Sequence, residues 1–509
     1  MAFVAMLACG ISVQALEKAD VSIERAETLL NDGRAAEAVT LLETYVRTQP
    51  GDSRGYALLG RAYAEMSQLD NAAKSLRRAV ALSPHSLAPH LDLGVVEVMR
   101  GNKEDGKKEF QRALAIDPHQ REALYNLGRL TFDEKDFGSA ARYFTQCVDL
   151  SPSDADALSY LLRCAIAGNH AVQVTEIHKK LTSLLPHRAE AHLEVGQWLA
   201  GGKFYGEAEM EFAEALALSP GSAAVRYNYA ALCLSRGVPQ KALQLLIPLG
   251  AREEKDAHYH YLLGKCYEHV PDAQRALLEY KRATELDPGQ EAYYISLAAL
   301  VASYRNYDAA ENILSSAARR LPKSFRIQLG IGLIQLESGN AESAKAAYEQ
   351  ATQLAPHSPL CLNLLGRIQM AQGQYDEAIQ TFGEALRCDP SEAQAFFLMG
   401  LSYTKLPDKS EEALQAFRQA VLLNPDLADG YFWIGSIYFY RKEQYAEAAQ
   451  YLEETLKCAP QWGAAYQLLI QSYRRMGDDA KAADTAQRFR KVGRIERPQL
   501  DFGMLLNQQ

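Results

Sequence analysis

The sequence is poor in several features that would point to a familiar function. No two of its eight cysteines form a C-x-x-C pair, and they are strewn along the chain: Cys9, Cys147, Cys164, Cys233, Cys266, Cys361, Cys388 and Cys458. Seven come after the first fifteen residues. An odd, scattered set argues against a disulfide framework and against a zinc site. They read as small apolar core residues and fit a reducing compartment better than an oxidising one. Basic residues do not dominate, since 54 Lys and Arg face 63 Asp and Glu, a formal charge of -9. A nucleic-acid partner is therefore not expected. After the first fifteen residues no apolar run approaches the ~20 needed to cross a bilayer. Disorder is excluded too, because 48% of the residues are apolar and 23% are charged.

The first stretch, Met1 to Ala15, is apolar and ends in Val13-Gln14-Ala15, which signal peptidase tolerates. It lacks a positive n-region. Two readings stay open for residues 1–18: a truncated export signal, or an N-terminal capping segment. A lipid anchor at Cys9 is weaker, because Met6 stands where such motifs favour Leu. Export would place the chain in a bacterial periplasm or outside the cell, and otherwise it is cytoplasmic. Membrane association is expected only if this leader is uncleaved or lipidated.

What the sequence does have is a period. Prolines stand at 50, 84, 118, 152, 186 and 220, resume at 288, 322, 356 and 390, and continue at 425 and 460. The spacing is 34 residues, doubled where Glu254 replaces a proline and 35 in the last two steps. Take Pro84 as position 32 of a repeat that starts at Ser53. Position 8 is then glycine nine times, as in Gly60, Gly94, Gly128, Gly366 and Gly400. Position 20 is alanine almost throughout, from Ala38 to Ala482. Position 24 is bulky, as in Leu76, Phe110, Phe144, Tyr280, Phe382 and Phe417, and position 27 is small. Each repeat carries two apolar stretches at helical spacing. Glycine inside a helix costs ~1 kcal/mol relative to alanine, so nine of them imply that backbones meet there. The proline then stops the second helix.

This pattern resembles the tetratricopeptide repeat family, shown well by Phe396, Met399-Gly400, Tyr403, Ala413, Phe417, Ala420 and Pro425. About fourteen repeats cover 19–496. The resemblance implies an all-α, right-handed superhelical solenoid of antiparallel helix pairs. Residues 19–256 would hold repeats 1–7, residues 257–496 repeats 8–14 with a polar C-terminal cap, and 497–509 a short tail. Two repeats depart from the pattern. Repeat 155–188 has Leu162, Val174, His178 and Leu181 at its key positions, which should hold its helices apart. Repeat 223–256 carries Pro248 inside its second helix, which should end near Ile247 and make 247–256 a candidate hinge.

Catalytic signals are thin, and no cofactor or metal is expected. The phosphate-loop lookalike Gly101 to Lys108 has Lys108 where Ser or Thr should hold magnesium, and no strand precedes it. His85, His119, His187 and His357 each follow a lattice proline in an inter-repeat turn, and even successive turns are too far apart to share one metal. His258, His260 and His269 do not share a usable face.

In this family the first helix of each repeat lines a concave groove, with positions 2, 5, 6, 9, 12 and 13 facing it. That resemblance implies two zones. One holds Tyr125, Asn126, Arg129, Tyr160 and Arg163, then Tyr227, Asn228, Tyr261 and Lys265, a surface suited to an acidic or carboxylate-bearing peptide. The other holds Phe397, Leu401, Phe432, Phe439 and Tyr440, with Leu329, Leu333, Leu364, Met370 and Trp433, and suits an apolar segment. The alternative for the first is that some tyrosines pack between helices and the arginines are merely solvated, and for the second it is core packing. The carboxylate clamp of chaperone-binding members is absent, because Leu91 and Val95 precede Asn126, and Leu193 and Gln197 precede Asn228. The expectation is a non-catalytic scaffold for protein or peptide partners. Its rivals are a presenting arm for a separate enzyme such as a transferase, and a structural spacer. Oligomeric state is left open.

Overall fold

The computed structural model describes residues 13–185, 187–356 and 358–492, with the side chains of all but 13–21, 251 and 492. Most of the candidate leader, the Cys9 anchor, Pro186, His357 and the tail fall outside these residues. Val13 to Ala15 open the first helix, Val13–Asn31. The described chain is all-α and contains no strand. None of its helices is long and apolar enough to cross a membrane.

The helices pair in chain order, in register with the proline lattice. In repeat 2 the first helix spans Ser53–Glu65 and the second Leu69–Leu82. In repeat 4 they span Arg121–Asp133 and Phe137–Leu150, the same positions 1–13 and 17–30. The second helix closes when the backbone N–H of position 31 bonds position 27, as Ser83 does to Ala79 and Asp117 to Ala113. The residue before proline then swings into extended backbone, and the helix cannot continue. Asp52, Asp154 and Asp256 cap the next helices through their side chains. The 35-residue repeats carry their extra residue in the turn inside the repeat, between Thr404 and Ser410 and between Tyr440 and Tyr445.

That inner turn has a rule of its own. One residue in it adopts positive φ: Gly33, Ser67, Gly101, Lys135, Asn169, Lys203, Gly237, Arg305, Gly339, Gly373, Asp408, Glu443 and Gly477. Only repeat 8 breaks the series, with Pro271 in that place. A side chain there carries a steric cost of about 1–2 kcal/mol, partly offset because glycine has more backbone freedom to lose. Lys135→Gly is therefore expected to stabilise repeat 4 by roughly 0.5–1 kcal/mol. Slower amide exchange in peptides from 121–150 is the readout, and faster exchange refutes it.

Position 8 shows why glycine is required. A Cβ built on Gly128 would sit 2.8 Å from the Phe144 ring, and on Gly366 2.4 Å from the Phe382 ring. The position-24 ring of the same repeat fills the space a side chain would need, and Phe144, Phe382 and Phe417 are fully buried. Smaller partners permit more at position 8: Ala26 goes with Leu42, and Ala298 with Leu314. In the irregular repeat, Leu162, Val174, His178 and Leu181 are all buried. Their bulk leaves the two helices less closely apposed than in the neighbouring repeats, as expected.

The chain divides into two compact parts, one ending at Leu232 and one starting at Cys233, within the helix Ala223–Ser235. In the second part Pro248 acts as anticipated. The helix Pro239–Leu246 stops before it, a 3-10 turn spans Ile247–Leu249, and one helical turn covers Gly250–Glu253. Five cysteines are buried in the core, Cys147, Cys164, Cys233, Cys266 and Cys361, while Cys388 is exposed and Cys458 half-buried. Burial pushes the thiols of Cys147 up to about 11 and of Cys266 up to about 12, which keeps them protonated and inert.

Candidate functional site

Three fully buried rings at position 24, Phe144, Tyr280 and Phe417, are roofed by aromatic neighbours on the first-helix face. Phe144 stacks on Tyr160 of the next repeat, centroids 4.9 Å apart, and meets the edge of Tyr125 of its own repeat at 5.7 Å. Phe417 repeats the arrangement with Trp433 at 6.3 Å and Phe397 at 5.6 Å. Tyr261 packs on Tyr280 at 6.0 Å and Tyr293 at 4.9 Å. These half-buried aromatics are therefore floor, held in place by core contacts. Asn126 and Asn228 turn their amides onto their own helices, at Glu122 and Ala224. Asn228 also accepts a bond from Gln197 of the preceding repeat. Tyr227 and Leu401 are half-buried.

Other expected groove residues belong to the core. Leu329, Leu333 and Leu364 are 1%, 1% and 0% exposed. Leu364 reaches the spot where a Cβ on Gly332 would lie. Phe439 is buried against Tyr440 and Tyr445, so it offers nothing to a ligand, whereas Tyr440 is exposed. Met370 is half-buried against the Phe382 cluster. Phe432 stacks on Trp462 at 4.6 Å.

The cations behave differently from the rings. The Arg163 guanidinium lies 4.5 Å from the Phe132 ring, 5.0 Å from Tyr160 and 5.3 Å from Trp198. Those rings come from the first helices of repeats 4, 5 and 6. Three consecutive first-helix faces thus converge on one cation. Ring faces attract it and fix its plane, leaving its N–H edge for hydrogen bonds. No carboxylate among the described residues pairs with Arg163, or with the exposed Arg129 on the preceding repeat. Lys265 rests over Tyr261 at 5.7 Å. Carboxylates also lie on this face. Burial pushes Asp92 up to about 6, against the opposing pull of Arg61 at 4.0 Å, and Glu122 adds to the rise.

Several histidines whose role the sequence pattern did not reveal form buried pairs. His90 binds Glu109 through Nδ1 at 2.7 Å and the Pro84 carbonyl through Nε2 at 3.0 Å. His260 repeats this with Glu279 at 2.6 Å and the Glu254 carbonyl at 2.9 Å. His192 binds Glu211 at 2.7 Å, and Glu211 also accepts from His178 at 2.6 Å and Thr182 at 2.8 Å. In each repeat a histidine at position 4 meets a glutamate at position 23, nineteen residues later. Arg226, again at position 4, donates to the Pro220 carbonyl. At His90, Arg226 and His260, position 4 thus fastens to the turn that ends the preceding repeat. The nineteen-residue His–Glu spacing, present three times with its histidine at position 4, was the available signal.

Two sequence profiles, both described as tetratricopeptide repeat, match this chain. One covers 23–86, 91–155, 303–359 and 408–464, and the other 204–266 and 335–399. Together they span more than half of the sequence. The chain belongs to the tetratricopeptide repeat family. Among curated tetratricopeptide-bearing relatives, it is 23% identical over 136 residues to anaphase-promoting complex subunit 3 of Schizosaccharomyces pombe, which is 27% of this chain and 20% of that one. It is 25% identical over 156 residues to BBSome complex member bbs-4 of Caenorhabditis elegans, 29% of this chain and 33% of that one. It is 26% identical over 142 residues to protein O-mannosyl-transferase TMTC1 of Homo sapiens, 27% of this chain and 16% of that one. The matched stretch is thus at most a third of each of these relatives.

Proposed function

We propose that this tetratricopeptide repeat chain is a non-catalytic scaffold, and that the first-helix face of repeats 4–6 holds a protein segment carrying a carboxylate at Arg163. Arg163 carries the reading. It is a cation seated on three aromatic rings with no carboxylate partner of its own. The rings fix its orientation before a ligand arrives, so little side-chain entropy remains to be lost on binding. Membership of two relatives in named multiprotein complexes supports a protein partner. The TMTC1 relative keeps the second reading in view, an arm that presents a protein to a separate transferase.

The test is selection from a random twelve-residue peptide library on the full chain, with fluorescence anisotropy of the winners. Enrichment of Asp, Glu or a free C-terminus is expected. Arg163→Gln should weaken those peptides by roughly tenfold or more, the worth of a charge-assisted hydrogen bond. Selection of apolar peptides that Arg163→Gln leaves untouched but Phe432→Ala weakens would move the site to the aromatic face of repeats 12–13. No enrichment at all would favour a spacer.

A further inference from the structure

A second feature belongs to the part of the chain that starts at Cys233. Between repeats 9 and 10 a cleft of about 690 Å³ opens, lined by Gly289 to Ala292, Ile295, Arg320 to Ser324, and Arg326. Its floor is apolar, with Ile295 fully buried and Leu321 half-buried. Its charge is lopsided. Arg320, Lys323 and Arg326 face one carboxylate, Glu291. Glu291 is already occupied, accepting from the Ser324 hydroxyl and pairing with Arg326 at 3.5 Å. Asp287, the nearest other carboxylate along the chain, accepts from the Gly289 N–H and does not line the cleft. Arg320 and Lys323 are exposed, and no described carboxylate pairs with either. In a chain of net charge -9, two uncompensated cations at the mouth of a cleft are a local reversal of sign.

The geometry points to a binding site for a phosphate group in this cleft, held by Arg320 and Lys323 with Arg326 behind them. A phosphate at neutral pH carries up to two negative charges and three acceptor oxygens, which suits two free cationic arms. The apolar floor would receive the chain or ring that carries the group. The site shares no residue with the Arg163 face, so either can fail without the other. Two sources offer this chemistry, a free phosphate ester and a phosphorylated side chain of a bound protein.

The test is isothermal titration of the full chain in low-salt buffer, once with inorganic phosphate and once with a phosphoserine hexapeptide. Saturable binding is expected. Arg320→Glu with Lys323→Glu should reduce affinity by about tenfold or more. Lys179→Glu with Lys180→Glu, which changes net charge equally at two exposed positions of repeat 5, should leave it unchanged. Both pairs are surface changes, and matched circular dichroism guards against misfolding. Tighter binding of the hexapeptide than of inorganic phosphate assigns the source to a phosphorylated partner, and equal affinity assigns it to a free ester. Equal loss in both charge-reversed proteins, or no saturable binding by the wild type, overturns the proposal.

Discussion

Glu211→Ala should loosen repeats 5 and 6 by roughly 3–5 kcal/mol at pH 7, the usual cost of removing one member of a buried charged cluster. Glu211 is 1% exposed, and His178 and His192 are each 4% exposed. Both carboxylate oxygens are in use, one by His178 and Thr182 and the other by His192. Taking the carboxylate away strands two buried histidines, since the half-buried Thr182 keeps the His178 carbonyl as an acceptor, and each unmade bond costs about 1–3 kcal/mol. Neighbouring repeats unfold locally, so amide exchange across 171–222 reads the change better than a global melt. The acid limb has a defined sign. Burial pushes Glu211 up, but hydrogen bonds from His178, His192 and Thr182 outweigh it and hold the carboxyl below its ordinary value of 4.5. A depressed folded value means the stabilisation is complete above pH 4.5 and is lost as pH falls through the folded value. The gap between wild type and Glu211→Ala should therefore close under strong acid. A difference below 1 kcal/mol at pH 7 would show that water satisfies the histidines and that the cluster contributes little.

Phe382→Ala should cost roughly 3–5 kcal/mol, because the ring is fully buried and its removal leaves a cavity in the core of its repeat. The informative companion is a pair. Gly366→Ala alone forces a methyl to within 2.4 Å of the ring. Overpacking of this kind costs about 1–3 kcal/mol, more than the ~1 kcal/mol alanine gains as a helix former. Phe382→Leu alone leaves a void. Together they recreate the alanine–leucine pair that repeat 1 already uses at Ala26 and Leu42. The double variant should therefore be more stable than the sum of the singles by at least about 1 kcal/mol. Strict additivity would mean that positions 8 and 24 do not share one space.

The proline lattice, Gly60 and its eight counterparts, and the break at Pro248 were legible because each is a local constraint with one residue type that satisfies it. Pro248 ends a helix wherever the helix sits, since the missing N–H is a property of the residue. The positive-φ position of the inner turn was half visible. Glycine marks it in Gly33, Gly101, Gly237, Gly339, Gly373 and Gly477, but Lys135 and Arg305 conceal it. The candidate site was harder to read. Tyr125, Tyr160, Phe397 and Phe439 have the same chemistry whether they face a ligand or cover a ring, and periodicity places them on a face without giving its depth. Arg163 stood out in sequence only as a cation near tyrosines. Its seat on Phe132, Tyr160 and Trp198 needs three helices from three repeats.

The sequence by itself determined the repeat, its period, its helix ends and its membership of the tetratricopeptide family. These rest on backbone stereochemistry and on helical spacing within some thirty-four residues. Tertiary structure alone decided which half-apolar positions close over the core, which histidines find a glutamate, and which cations are left without a partner. Those outcomes depend on contacts between one repeat and the next, where the separation in space is fixed by how rings such as Phe144 and Phe417 fill the gap.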